Sequence, residues 1–123
     1  MKHWVLAVIA GLLVLGSCDD AQQYAVRMRN IGSSEVENAR VSYGQFVFAA
    51  GILISAGDHE QIDVREPLPH TAVVEWTDSF GVRHRQVVNI SFPQGFKGVL
   101  VFEIDGANRA RALTEPASPR IDP

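Results

Sequence analysis

Three histidines in the body of this chain, His59, His70 and His84, are the side chains best suited to hold a metal or move a proton. Their spacing works against a shared site. No two stand at i and i+2, the interval that places two ligands on one face of a strand. No metal site is expected, and the rings read as solvated or stacked surface groups. A metal-binding domain built on all three is the remotest alternative. Ser55, Asp58 and His59 supply a hydroxyl, an acid and a base. They lie too close in sequence to imply a triad, which is a matter of geometry, and no Gly-x-Ser-x-Gly elbow accompanies them. Glu35 and Glu37 read as a solvated hairpin edge, since glycosidase chemistry needs two carboxylates set apart across a cleft. The expectation is a protein that is not an enzyme.

The one cysteine carries more information. Cys18 follows Lys2, the apolar run Trp4–Leu15, and two small residues, Gly16 and Ser17. A helix over that run reaches roughly 18 Å, well short of a ~30 Å hydrocarbon core, so cleavage is favoured over a permanent span. The sequence Leu15-Gly16-Ser17-Cys18 resembles the lipobox of bacterial lipoproteins. The resemblance implies acyl chains such as palmitate on the Cys18 thiol. It also implies cleavage directly before Cys18 by a peptidase that recognises Leu15, Gly16 and Ser17. Two or more acyl chains anchor firmly where one does not. Asp19 resembles the enterobacterial signal for retention in the inner membrane, facing the periplasm, with the outer membrane as the alternative.

Removal of residues 1–17 leaves 106 of the 123 residues, enough for one domain. Losing Lys2 takes the formal charge from −3 to −4, which argues against nucleic acid as a partner. A single lipidated cysteine excludes a disulfide, so the domain must fold on its core alone. No cofactor is implied beyond the covalent lipid.

Residues 18–23 read as a lipidated tether, 24–106 as the domain and 107–123 as a flexible tail containing proline and arginine. Tyr24, Val26 and Met28 alternate with Arg27 and Arg29, the period of a half-buried strand. Further strands are expected over Glu37–Tyr43, Phe46–Ile54 in two pieces joined by a bend or bulge at Ala49-Ala50-Gly51, and Gln61–Arg65 with Ile62 and Val64 alternating against Asp63 and Arg65. Thr71–Thr77 and Val82–Ser91 form a hairpin through Asp78-Ser79-Phe80-Gly81, with Gly81 left-handed. That turn pairs residues whose numbers sum to 160, setting Glu75 opposite Arg85 and Trp76 opposite His84. Val99–Ile104 is the last strand, with Leu100, Phe102 and Ile104 on one face.

About seven short strands without helical periodicity predict a small antiparallel β-sandwich of immunoglobulin-like plan, with a small open barrel as the alternative. The cysteine pair of antibody domains is absent. The expected function is that of a membrane-anchored envelope lipoprotein whose β domain binds or scaffolds a protein partner. A periplasmic inhibitor or immunity lipoprotein is the alternative. Phe80, Arg83 and Arg85, at the tip and flank of the hairpin, are the expected contact residues, and Glu75 is expected to neutralise Arg85.

Overall fold

A computed structural model of the chain describes residues 23–117. Eight strands run through them: β1 Tyr24–Asn30, β2 Val36–Tyr43, β3 Phe46–Leu53, β4 Asp58–Val64, β5 Thr71–Thr77, β6 Arg83–Asn89, β7 Val99–Ile104 and β8 Ala110–Glu115. They form two four-stranded sheets, β4-β1-β7-β8 and β3-β2-β5-β6. The result is a sandwich, not a closed barrel. In the constant-type immunoglobulin order the first strand neighbours the second; here β1 sits between β4 and β7. All pairings are antiparallel except β1 with β7, which run parallel.

The alternating residues of β1 place Tyr24, Val26 and Met28 in the core, where they meet Val41 and Tyr43 of β2, Val74 and Trp76 of β5, and Leu100, Phe102 and Ile104 of β7. Trp76 and Phe102 are the largest fully buried side chains. At one end of the sandwich the Tyr24 hydroxyl donates to the Glu66 carbonyl at 2.7 Å and accepts from the Tyr43 hydroxyl at 2.6 Å, joining the two sheets. Burial, helped by the neighbouring Tyr24 hydroxyl, raises the Tyr43 phenol well above its ordinary pKa.

Three expectations need correction. Residues 110–115 are not part of a flexible tail: they form β8, so the strands number eight and the domain extends past residue 106. The segment looks unstructured because its core-facing residues, Ala110 and Ala112, are small. Its outer face is held by ion pairs, Arg111 with Glu103 and Glu115 with Arg29, rather than by apolar burial. The second correction concerns β4. Ile62 is exposed while Val64 is buried, because a bulge between Tyr24↔Val64 and Val26↔Gln61, with Asp63 at φ 58°, breaks the alternation. Third, β3 ends at Leu53, so Ile54 lies outside it, while the irregularity expected at Ala49–Gly51 is present as a shift in register with β2, with Gly51 at φ 75°.

Sheet β4-β1-β7-β8 carries an ionic layer on its outer face. Arg29 binds Glu103 at 2.8 Å and Glu115 at 3.0 Å. Arg27 pairs with Glu60 and reaches Glu115 at 3.5 Å. The Arg29 guanidinium holds the Glu115 carboxyl below the ordinary carboxylate range.

Candidate interaction surface

The β5–β6 hairpin has the register expected of it, Thr71↔Asn89 through Thr77↔Arg83 without a shift. Asp78 closes the turn. Its Oδ1 accepts from the N–H groups of Phe80 at 2.9 Å and Val82 at 3.0 Å, and its backbone carbonyl accepts from Gly81 N–H at 3.0 Å. Gly81 sits at φ 83°, where a side chain would be strained. The closed turn turns Phe80 outward, 89% exposed.

Asp78 Oδ2 accepts from His84 Nε2 at 2.8 Å, and the His84 ring stacks on Trp76 with centroids 5.2 Å apart. His84 is the main cause of the lowered Asp78 pKa, with the Val82 and Phe80 N–H groups adding to it. An acid–histidine pair has the residue types of a general-base dyad. Here the carboxylate is engaged by the turn and the ring by Trp76, so the pair braces the hairpin. Trp76 Nε1 donates to Asn108 Oδ1 at 3.3 Å, and Asn108 Nδ2 donates to Asp78 Oδ2 at 3.4 Å. This ring of contacts ties the hairpin to the turn between β7 and β8, in the other sheet.

That second turn repeats the first. Asp105 Oδ1 accepts from Ala107 and Arg109 N–H at 2.8 and 3.0 Å, and Asn108 takes the left-handed position at φ 56°. Sequence reading missed it. The signal was an aspartate followed three residues later by a residue tolerant of positive φ, the same spacing as Asp78 and Gly81. A polar cleft of about 90 Å³ opens between the two turns, lined in part by Asn30, Ser34, Asp78, Phe80 and Asp105. Ligand pockets usually span roughly 300–1,000 Å³, so the cleft is too small for an organic ligand.

The other candidates do not converge on this surface. His59 lies exposed on β4 and donates to the Ile52 carbonyl at 3.1 Å, and His70 stacks on Phe92 at 5.8 Å. No group of three His, Cys, Asp or Glu side chains among the described residues could hold a metal ion. Arg83 and Arg85 are exposed on β6, beside Phe80. Glu75 faces Arg85 in the register, yet its carboxylate pairs with Arg40 at 3.4 Å, so the expected neutralisation of Arg85 does not form. Leu15, Gly16, Ser17, Cys18 and Asp19 lie outside the described residues.

No protein-family model matches the chain, and no curated protein matches it. Among solved structures it is similar to a protein from Eubacterium rectale determined by NMR. The TM-score is 0.48 at 16% identity, covering 80% of this chain and 94% of that one.

Proposed function

We propose that this protein is a lipid-anchored bacterial envelope lipoprotein whose sandwich is a non-enzymatic module for binding another envelope protein. The anchor rests on the resemblance of Leu15-Gly16-Ser17-Cys18 to a lipobox, with Asp19 favouring the inner membrane. The binding role rests on one observation: Phe80 is held out, 89% exposed, by a turn braced through Asp78, His84 and Asn108. An apolar side chain kept in water by so many contacts is best accounted for by a surface that covers it.

The direction of the strands supports the same reading. Gln23 and Ala117 line one depression at the start of β1, so the described chain enters and leaves at one end. β1 then runs roughly 20 Å toward the end that carries the two turns. A tether at Cys18 would therefore leave the Phe80 end facing away from the bilayer.

The test is a photo-crosslinking residue in place of Phe80, expressed in the native host with Cys18 intact and as Cys18→Ala. The reading expects one reproducible protein adduct that depends on Cys18. No adduct, or the same adducts from a crosslinker at Ile62 on the β4 edge, contradicts it.

A further inference from the structure

β6 is an edge strand. Asp78 N–H donates to the Val82 carbonyl, and Ile90 N–H donates to the His70 carbonyl, so the even-numbered residues of β6 bond to β5. The N–H and C=O groups of Arg83, Arg85, Val87 and Asn89 therefore point to the open side of the sheet. The side chains of these four residues share its exposed outer face.

The three other edges are less suited to receive a strand. β3 holds Gly51 at φ 75° and its register with β2 shifts nearby. β4 bulges at Asp63. β8 is blocked at Ala110, whose N–H donates to Gln86 Oε1 at 2.9 Å and whose carbonyl accepts from Gln86 Nε2 at 2.7 Å. β6 alone runs seven residues in regular register without such an obstruction.

Its charge is also uncompensated. Arg27, Arg29, Arg40, Arg109 and Arg111 each form an ion pair with a described carboxylate. Arg83 and Arg85 form none among the described residues, although Glu75 lies directly across from Arg85. They line a shallow depression with Arg40 and Glu75. Edge arginines commonly serve to discourage strand pairing. Two at alternate positions discourage a basic or apolar strand and favour one with carboxylates at the same interval.

We infer that the open edge of β6 takes an extended acidic segment of the partner protein as a fifth strand, its carboxylates at i and i+2 facing Arg85 and Arg83. Val87 lies beside Val73 on β5, in a row that continues through Ser42 of β2 to Val47 of β3, and the Val87–Val73 pair calls for an apolar residue in the incoming strand. This inference rests on the binding role proposed for the domain and supplies the chemistry of its partner.

The probe is the peptide acetyl-Thr-Thr-Val-Thr-Glu-Thr-Glu-amide, with a control carrying Lys for both Glu. Each is titrated into the full chain in detergent micelles, labelled with nitrogen-15 on arginine and valine. The amides of Arg83, Arg85 and Val87 should shift with the glutamate peptide, which should bind about tenfold more tightly than the lysine peptide. Arg83→Glu with Arg85→Glu should reverse that preference, and Arg83→Gln with Arg85→Gln should abolish it with the valine signals of the core unmoved. Equal binding of the two peptides, no binding, or shifts confined to other strands overturns the inference. So does a dimer in sedimentation whose β6 amides are already protected, since a second copy then covers the edge. A Cys18-dependent adduct from position 80 without peptide preference would remove the acidic strand and leave the binding role standing.

Discussion

The carboxylates of Asp78 and Asp105 fill the same position in two turns, each accepting from the N–H groups two and four residues ahead. The two turns lie at one end of the sandwich, one in each sheet, and Asn108 of the second reaches back to Asp78 of the first. Two hairpins that could fray separately are thereby linked.

Asp105→Ala should cost about 1 kcal/mol in equilibrium unfolding, the scale of a lost side-chain cap. Because β8 depends on this turn, the amides of Arg111 and Leu113 should lose hydrogen-exchange protection more than those of β1. Uniform loss across both strands would show that the turn does not act locally.

Gln86 substitutes for a strand at the edge of β8, pairing with both backbone groups of Ala110. Gln86→Leu keeps the side-chain bulk but leaves a donor and an acceptor without partners. Thermal and urea unfolding should show a loss of about 1–3 kcal/mol. An unchanged midpoint would mean that water satisfies Ala110 equally well.

The two buried tyrosines should respond unequally. Tyr43→Phe removes one donor and leaves Tyr24 bonded to the Glu66 carbonyl, a loss of about 1 kcal/mol. Tyr24→Phe strands both the Tyr43 hydroxyl and that carbonyl, and should cost about 2 kcal/mol. Equal losses in denaturant titrations would contradict the assigned direction of these bonds.

Acid should weaken the fold through Glu115. Its carboxyl is held below the ordinary carboxylate range, chiefly by Arg29, so the folded state takes up that proton less readily than the unfolded chain. The contribution is complete above the unfolded value and is lost as pH falls through the lowered folded value. Unfolding free energy measured across this window should fall less steeply for Glu115→Gln than for the parent. A parallel slope would exclude Glu115 as a cause.

Much of the β5–β6 hairpin was legible in sequence because turn chemistry and register are local properties. Asp78 and Gly81 fix the turn, and the turn fixes every pair from Thr77↔Arg83 onward. β8 was not legible, because its support is non-local. Small Ala110 and Ala112 give no hydrophobic period, while Glu103, Arg29 and Gln86 come from three other strands. The parallel pairing of β1 with β7 was hidden for the same reason, joining segments from opposite ends of the domain. At the candidate surface, Phe80, Arg83 and Arg85 could be read from the hairpin. The diversion of Glu75 to Arg40 could not, since it depends on β2 lying beside β5.

The lipid on Cys18 is the claim on which the orientation of the whole domain depends. Intact-mass analysis of the protein extracted from membranes of its native host tests it directly. The account predicts a chain that starts at Cys18 and is heavier than its sequence by two or three acyl chains. A free Cys18 thiol on a chain that still carries residues 1–17 would contradict it.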